Sequence, residues 1–210
     1  NDHVYIRGST NGTVLARTSQ MLGASGLALA SADYMDVADL TITGGYYGVY
    51  LNNVSHSVFH NIRIHGTANQ GLRISNGESN RLSRIHVGRT RGSGIYISSS
   101  SANILTNSTV WMNNGDGITI AGPSNIIRNC TVAYNTGDQL RVLSGAALLT
   151  HSIVVASRPG THCIGHDGGG YYGDYNDLYT TNGAYTAYSD NQLYARLIDW
   201  QNSPASNDVN

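Results

Sequence analysis

Lysine is absent from this chain of 210 residues, all 12 basic side chains being arginine, and glutamate occurs once, as Glu78. Charged residues make up 12% of the chain and the formal net charge is −1. The clustered basic excess that grips a phosphate backbone is therefore missing, which argues against a nucleic-acid partner. No run approaches the ~18 apolar residues of a membrane-crossing helix, so no membrane insertion is expected. With three prolines and no break in composition, no stretch reads as a linker, and the chain is expected to be one domain. The amino end carries no signal sequence and opens at the lip of a repeat, so the chain is expected to begin partway through a longer protein.

What the sequence has in abundance is a period. Gly48, Gly71, Gly94 and Gly117 each open a short alternating run, GVYLNN, GLRISN, GIYISS and GITIAG. The frame extends back to Gly26 and His3 and forward to Gln139. A fixed step of 22–23 residues carrying strands predicts one solenoid coil per repeat, each burying its inward side only by stacking on its neighbours. Alternation points Val49/Leu51, Leu72/Ile74, Ile95/Ile97, Ile118/Ile120 and Leu140/Val142 inward. A second ladder aligns Ile64, Val87, Val110, Val132 and Val154, and three short strands fit in each coil. Asn61, Asn107 and Asn129 share a turn column, where stacked asparagines are expected to hydrogen-bond one another. Cys130 and Cys163 fall on different strands of different coils and are expected to stay unbridged.

Regular coils are expected over residues 1–160, followed by a Tyr- and Gly-rich final segment over 161–210. In that segment Asp190 is positioned to N-cap a helix through QLYARLIDWQ, with Leu193, Leu197 and Trp200 on one face. Such a helix would cover the open end of the stack.

The G-[VIL]-x-[IL] strands, the S-x-N-x-x-x-N-x-x-V segments and the N-x-G-D-G turn at Asn113 to Gly117 resemble the right-handed parallel β-helix superfamily, the pectate-lyase-like fold. That resemblance implies an all-β, single-stranded right-handed solenoid with a short C-terminal capping helix. Pectate lyases, alginate and chondroitin lyases, polygalacturonases and mannuronan epimerases share the fold, so the resemblance leaves the activity open. DYNDLYTT from Asp174 and LIDWQNSPASND from Leu197 also look like the terminal segment of large bacterial secreted β-helix proteins. This likeness implies an extracellular or cell-surface location and flanking domains.

Outward residues of stacked strands form ladders, and one reads Ala28, Tyr50, Arg73, Tyr96, Thr119, Arg141. Tyr faces suit pyranose rings and Arg forks onto uronate or sulfate oxygens, so Tyr50, Arg73, Tyr96 and Arg141 are the candidate polysaccharide-binding residues. Asp116 and Asp138 hold the same turn position in adjacent coils, with Asn113 and Asn114 nearby. Such a pair can share a proton or admit a bound calcium ion, and with Arg141 it is the alternative catalytic centre. Asp33, Asp36 and Asp39 lie close together in sequence at one turn. His162, Cys163, His166 and Asp167 form H-C-x-x-H-D, but the surrounding sequence does not read as the helix such a metal motif needs. These histidines are expected at surfaces and turns. Two functions fit: a structural and polysaccharide-binding module of a larger secreted protein, or a lyase, hydrolase or epimerase acting on an acidic glycan.

Overall fold

The computed structural model describes residues 3–9 and 12–203. An extended strand with branched aliphatic residues at alternate positions presents an apolar edge that only the same strand of the next coil can cover. The chain accordingly winds into an all-β, right-handed parallel solenoid of about eight turns. Strands of the first face include Tyr47–Asn52, Leu72–Ser75, Ile95–Ser98, the opening of Ile118–Arg128 and the opening of Leu140–Thr150. All pair in parallel with the matching strand one coil on. Every side chain in the inward pairs from Val49/Leu51 to Leu140/Val142 is buried, as is the column from Ile64 to Val154.

The second and third faces run together in some coils as one strand bent at a single residue, as in Val58–His65 and Arg81–Gly88. The bend is a left-handed residue, and Asn61, Arg84, Asn107, Asn129 and His151 all occupy it with φ between 50° and 53°. Asn tolerates that conformation better than most L-residues, which explains three of the five. The expected hydrogen-bonded ladder of Asn61, Asn107 and Asn129 does not form. Arg84 separates the first two, and Asn61 donates instead to Asp39 Oδ1 at 2.6 Å.

The asparagine ladders lie at other corners, inside the coil. Asn80 and Asn103 are buried, and each gives its main-chain and side-chain N–H to the Oδ1 of the next in the series Asn80, Asn103, Asn125. Asn113, Asn135 and Gln139 repeat the arrangement, with all four bonds between 2.9 and 3.1 Å. Each amide thus satisfies buried backbone donors where the chain turns too sharply for strand pairing.

Parallel pairing continues through the Tyr- and Gly-rich segment. His162–His166 pairs with the Leu140 strand and with Tyr185–Ser189. The short terminal helix is present, and it covers Leu197–Gln201, the second half of the expected segment. Asp190 caps nothing there. With Asn191 it forms a two-residue turn (φ 50° and 62°) joining Tyr185–Ser189 to the antiparallel strand Gln192–Tyr194. Positive φ at both central residues is what a type I′ hairpin turn requires, and that local preference overrides the weak helical spacing. Leu193 is consequently 50% exposed, while Trp200 is fully buried against Tyr171, Tyr194 and His166. Cys130 and Cys163 are free and buried.

Candidate functional site

Register places Ala28, Tyr50, Arg73, Tyr96, Thr119, Arg141, Gly165 and Tyr188 side by side along the first face. Arg73 lies over the Tyr96 ring at 5.3 Å and over the Tyr47 ring at 5.5 Å. Its guanidinium also donates to Tyr47 Oη at 3.2 Å and to Ser75 Oγ at 3.1 Å. These contacts hold a cation and two aromatic rings in one fixed surface. The row is not continuously exposed, because Thr119 is only 2% exposed and donates to Asp116 Oδ2 at 3.1 Å. A short β-branched side chain between Tyr96 and Arg141 sinks below them.

A parallel column runs three residues earlier in each coil. Asp138 N–H donates to Asp116 Oδ1 at 3.0 Å, and His162 N–H donates to Asp138 Oδ1 at 3.1 Å. The imidazole Nδ1 of His162 lies 2.7 Å from the same Asp138 oxygen. Glycine makes the stacking possible: a Cβ at Gly137 would strike the Asp116 carboxylate, and one at Gly165 the Asp138 carboxylate. Burial, and then the Asp138 charge, raise the Asp116 pKa above the ordinary carboxylate range.

These residues border a cleft of about 800 Å³ at the carboxyl-terminal end of the first face. Arg141, Asp167, Tyr185 and Tyr188 complete its walls. Arg141 is bound through Nε and Nη2 to one Asp167 oxygen, at 3.0 and 2.7 Å, and this bond raises its pKa. His162 is stacked obliquely on Tyr185 and Tyr188, with centroid separations of 5.8 and 5.4 Å, and its Nε2 is buried without a hydrogen-bond partner. The arrangement can fork an anion at Arg141 in exchange for Asp167, stack a sugar on Tyr185 or Tyr188, and hold a proton among Asp116, Asp138 and His162.

The structure therefore brings Asp116, Asp138 and Arg141 into one cleft, and sets Tyr50, Arg73 and Tyr96 along the same face. Asn113 does not join them: it belongs to the buried ladder, bonded to Asn135 and Thr90. Asp33, Asp36 and Asp39 do not converge either, being engaged by Ser55, by Arg7 with His60, and by Asn61 respectively. His162 and His166 are not surface histidines. The first is a wall of the cleft and the second is buried beside Trp200, with burial lowering its pKa. His162 was read only as part of a metal-like motif, and Tyr185 and Tyr188 escaped the sequence reading. The available signal was arithmetic, since carrying the Asp116 column forward by two and three coils lands on His162 and Tyr185, and carrying the Arg141 column forward by two lands on Tyr188.

A family model described as "Right handed beta helix region" matches residues 2–182. No curated protein sequence matches the chain. Among solved structures, the pectate lyase Pel9A superposes with a TM-score of 0.69 at 16% identity, over 88% of this chain and 60% of that one. The periplasmic alginate epimerase AlgG gives 0.66 at 15% identity, over 78% and 46%. An alginate lyase from Paenibacillus sp. str. FPU-7 gives 0.61 at 17% identity, over 88% and 80%. This chain thus spans about half to three-fifths of the length of the first two. At such identities the likeness speaks for the fold alone.

Proposed function

The chain belongs to the right-handed β-helix family, and from that premise we propose that its first face is a binding groove for an extended acidic polysaccharide, carried as a module of a larger extracellular or cell-surface protein. One observation carries this reading: the row Tyr50, Arg73, Tyr96 runs in unbroken register into a cleft that holds Arg141, Tyr185 and Tyr188. Successive coils stand roughly 4.8 Å apart, so the row is long enough for several sugar residues. Rings and guanidinium groups fixed against one another before binding lose little freedom on contact with ligand. Structural neighbours named as pectate lyase, alginate epimerase and alginate lyase support an acidic glycan as the ligand, and the periplasmic one supports a place outside the cytoplasm.

Affinity electrophoresis in gels containing alginate, pectate, chondroitin sulfate or a neutral glucan tests it, using wild type and a Tyr50→Ala/Arg73→Ala/Tyr96→Ala variant. Retardation by one acidic glycan that is lost in the variant is the expected result. Equal migration in all gels would overturn it.

A second reading, catalysis on the same glycan, is favoured by the Asp116, Asp138 and His162 column beside Arg141. Proton removal next to a sugar carboxylate needs a base, an acid and a cation, and this column with Arg141 has all three types. Near-ultraviolet absorbance from an unsaturated sugar, or new reducing ends, would establish it.

A further inference from the structure

The third face carries a second, separate cluster. Register aligns Arg63 with His86 and Thr109, and His65 with Gly88 and Trp111, over three successive coils. Arg63, His65, His86, Gly88, Arg89 and Trp111 line a cleft of about 370 Å³. Gly88 is what lets the indole lie down on the sheet, because a Cβ at that position would strike Trp111 at Nε1 and Cε2. Arg89 leaves the strand in a left-handed conformation (φ 57°), and its guanidinium stands 5.0 Å from the indole centroid. Among the described residues no carboxylate lies within ion-pair distance of Arg63 or Arg89. In the adjoining cleft Asp39 shares a cavity with Arg63 and is engaged by Asn61.

The chain as a whole is slightly acidic, yet this patch gathers two unpaired guanidinium groups, two imidazoles and one of the two tryptophans. We propose that this cleft is a second carbohydrate site, taking a single anionic sugar residue, a uronate or sulfated unit, by stacking it on Trp111 and forking its acidic group onto Arg63 and Arg89. Three coils span roughly 10 Å, the scale of one or two sugar rings. The positive charge ends there, since the same columns continue as Thr109, Thr131 and Ile153 on one line and Ala133 and Val155 on the other. A nucleic-acid strand would require a basic track with repeated stacking platforms, and the cleft offers neither. Partial burial, and then the neighbouring positive charge of Arg63, lower the pKa of His86, and Arg63 and Arg89 carry the permanent charge of the cleft.

Fluorescence gives a direct test, because the other tryptophan, Trp200, is fully buried under the cap. Titrate the whole chain with trigalacturonate, a sulfated chondroitin disaccharide, neutral maltotriose and oligouridylate, following Trp emission and, in parallel, heat by calorimetry. Saturable quenching by an acidic sugar and none by maltotriose is expected. In Arg63→Gln/Arg89→Gln, which keeps Trp111, binding should weaken about tenfold or more. In Tyr50→Ala/Arg73→Ala/Tyr96→Ala the Trp quenching should persist while heat from the first-face groove is lost, which separates this site from that groove. No saturable quenching by either acidic sugar, undiminished quenching in the arginine double variant with a native circular dichroism spectrum, or stronger quenching by oligouridylate would each overturn the proposal.

Discussion

Asp138 Oδ1 receives both the main-chain N–H of His162 and, at 2.7 Å, its imidazole Nδ1. One carboxylate oxygen therefore fixes the position and the ring orientation of the residue one coil on. Replacing Asp138 with Ala strips both bonds from a largely buried histidine and is expected to cost about 2–3 kcal/mol, measured by urea unfolding. Asp138→Asn keeps an acceptor at that place and should cost less than half as much. Equal losses for the two variants would mean that the geometry of the acceptor is not what holds His162.

Asp116 makes a prediction about pH. Burial and the neighbouring Asp138 raise its folded pKa above the ~3.9 of an unfolded chain. Between those two values the folded state holds more protons than the unfolded one, so this group's contribution to stability is full below the unfolded value and is lost as pH rises through the folded value. Asp116→Asn abolishes that loss. Relative to wild type, the variant should gain stability as pH is raised from about 3 to about 7, with most of the gain between the two pKa values. Chemical denaturation at several pH values checks this, and a constant difference would refute it.

The thiols should be inert. Burial pushes Cys130 up to about 11 and Cys163 up to about 12, so neither supplies thiolate near neutrality. Ellman's reagent should find no reactive thiol in the native protein at neutral pH and two in denaturant.

The inner asparagine ladder should be the most sensitive polar feature. Asn103→Leu leaves the Asn80 main-chain and side-chain N–H groups without their acceptor and cuts the side-chain bond to Asn125. A loss of about 3–4 kcal/mol is expected, against about 0.5 kcal/mol or less for Asn107→Gly, whose left-handed position favours glycine. Comparing the two urea midpoints separates the roles of the inner and the corner asparagines.

The strands and their register were legible because alternation and a fixed period leave one way to stack them: a single shift would turn Leu72 and Ile74 to solvent and Arg73 to the core. Tyr50, Arg73, Tyr96 and Arg141 were found as a row for the same reason. Side-chain depth was not legible. Thr119 sits where alternation points outward, yet it sinks between larger neighbours. The end of the chain misled because five residues of helix and a type I′ hairpin share a pattern of scattered leucines, and Asp190 with Asn191 suits the turn better than a cap. The third-face cluster was hidden in another way: Arg63, His86 and Trp111 come from three coils at spacings of 23–25 residues, and only pairing with the exact partner strand brings them together.

At Asn103 and at Asn113 the amide oxygen serves the coil before it, while the amide nitrogen looks to the coil after. The unit that can be added or taken away without leaving a donor stranded is therefore a whole turn, cut at the same column on both sides. Length is a free variable for such a protein, adjustable in steps of one coil, whereas the loss of a single residue within a turn breaks the count for every ladder that crosses it.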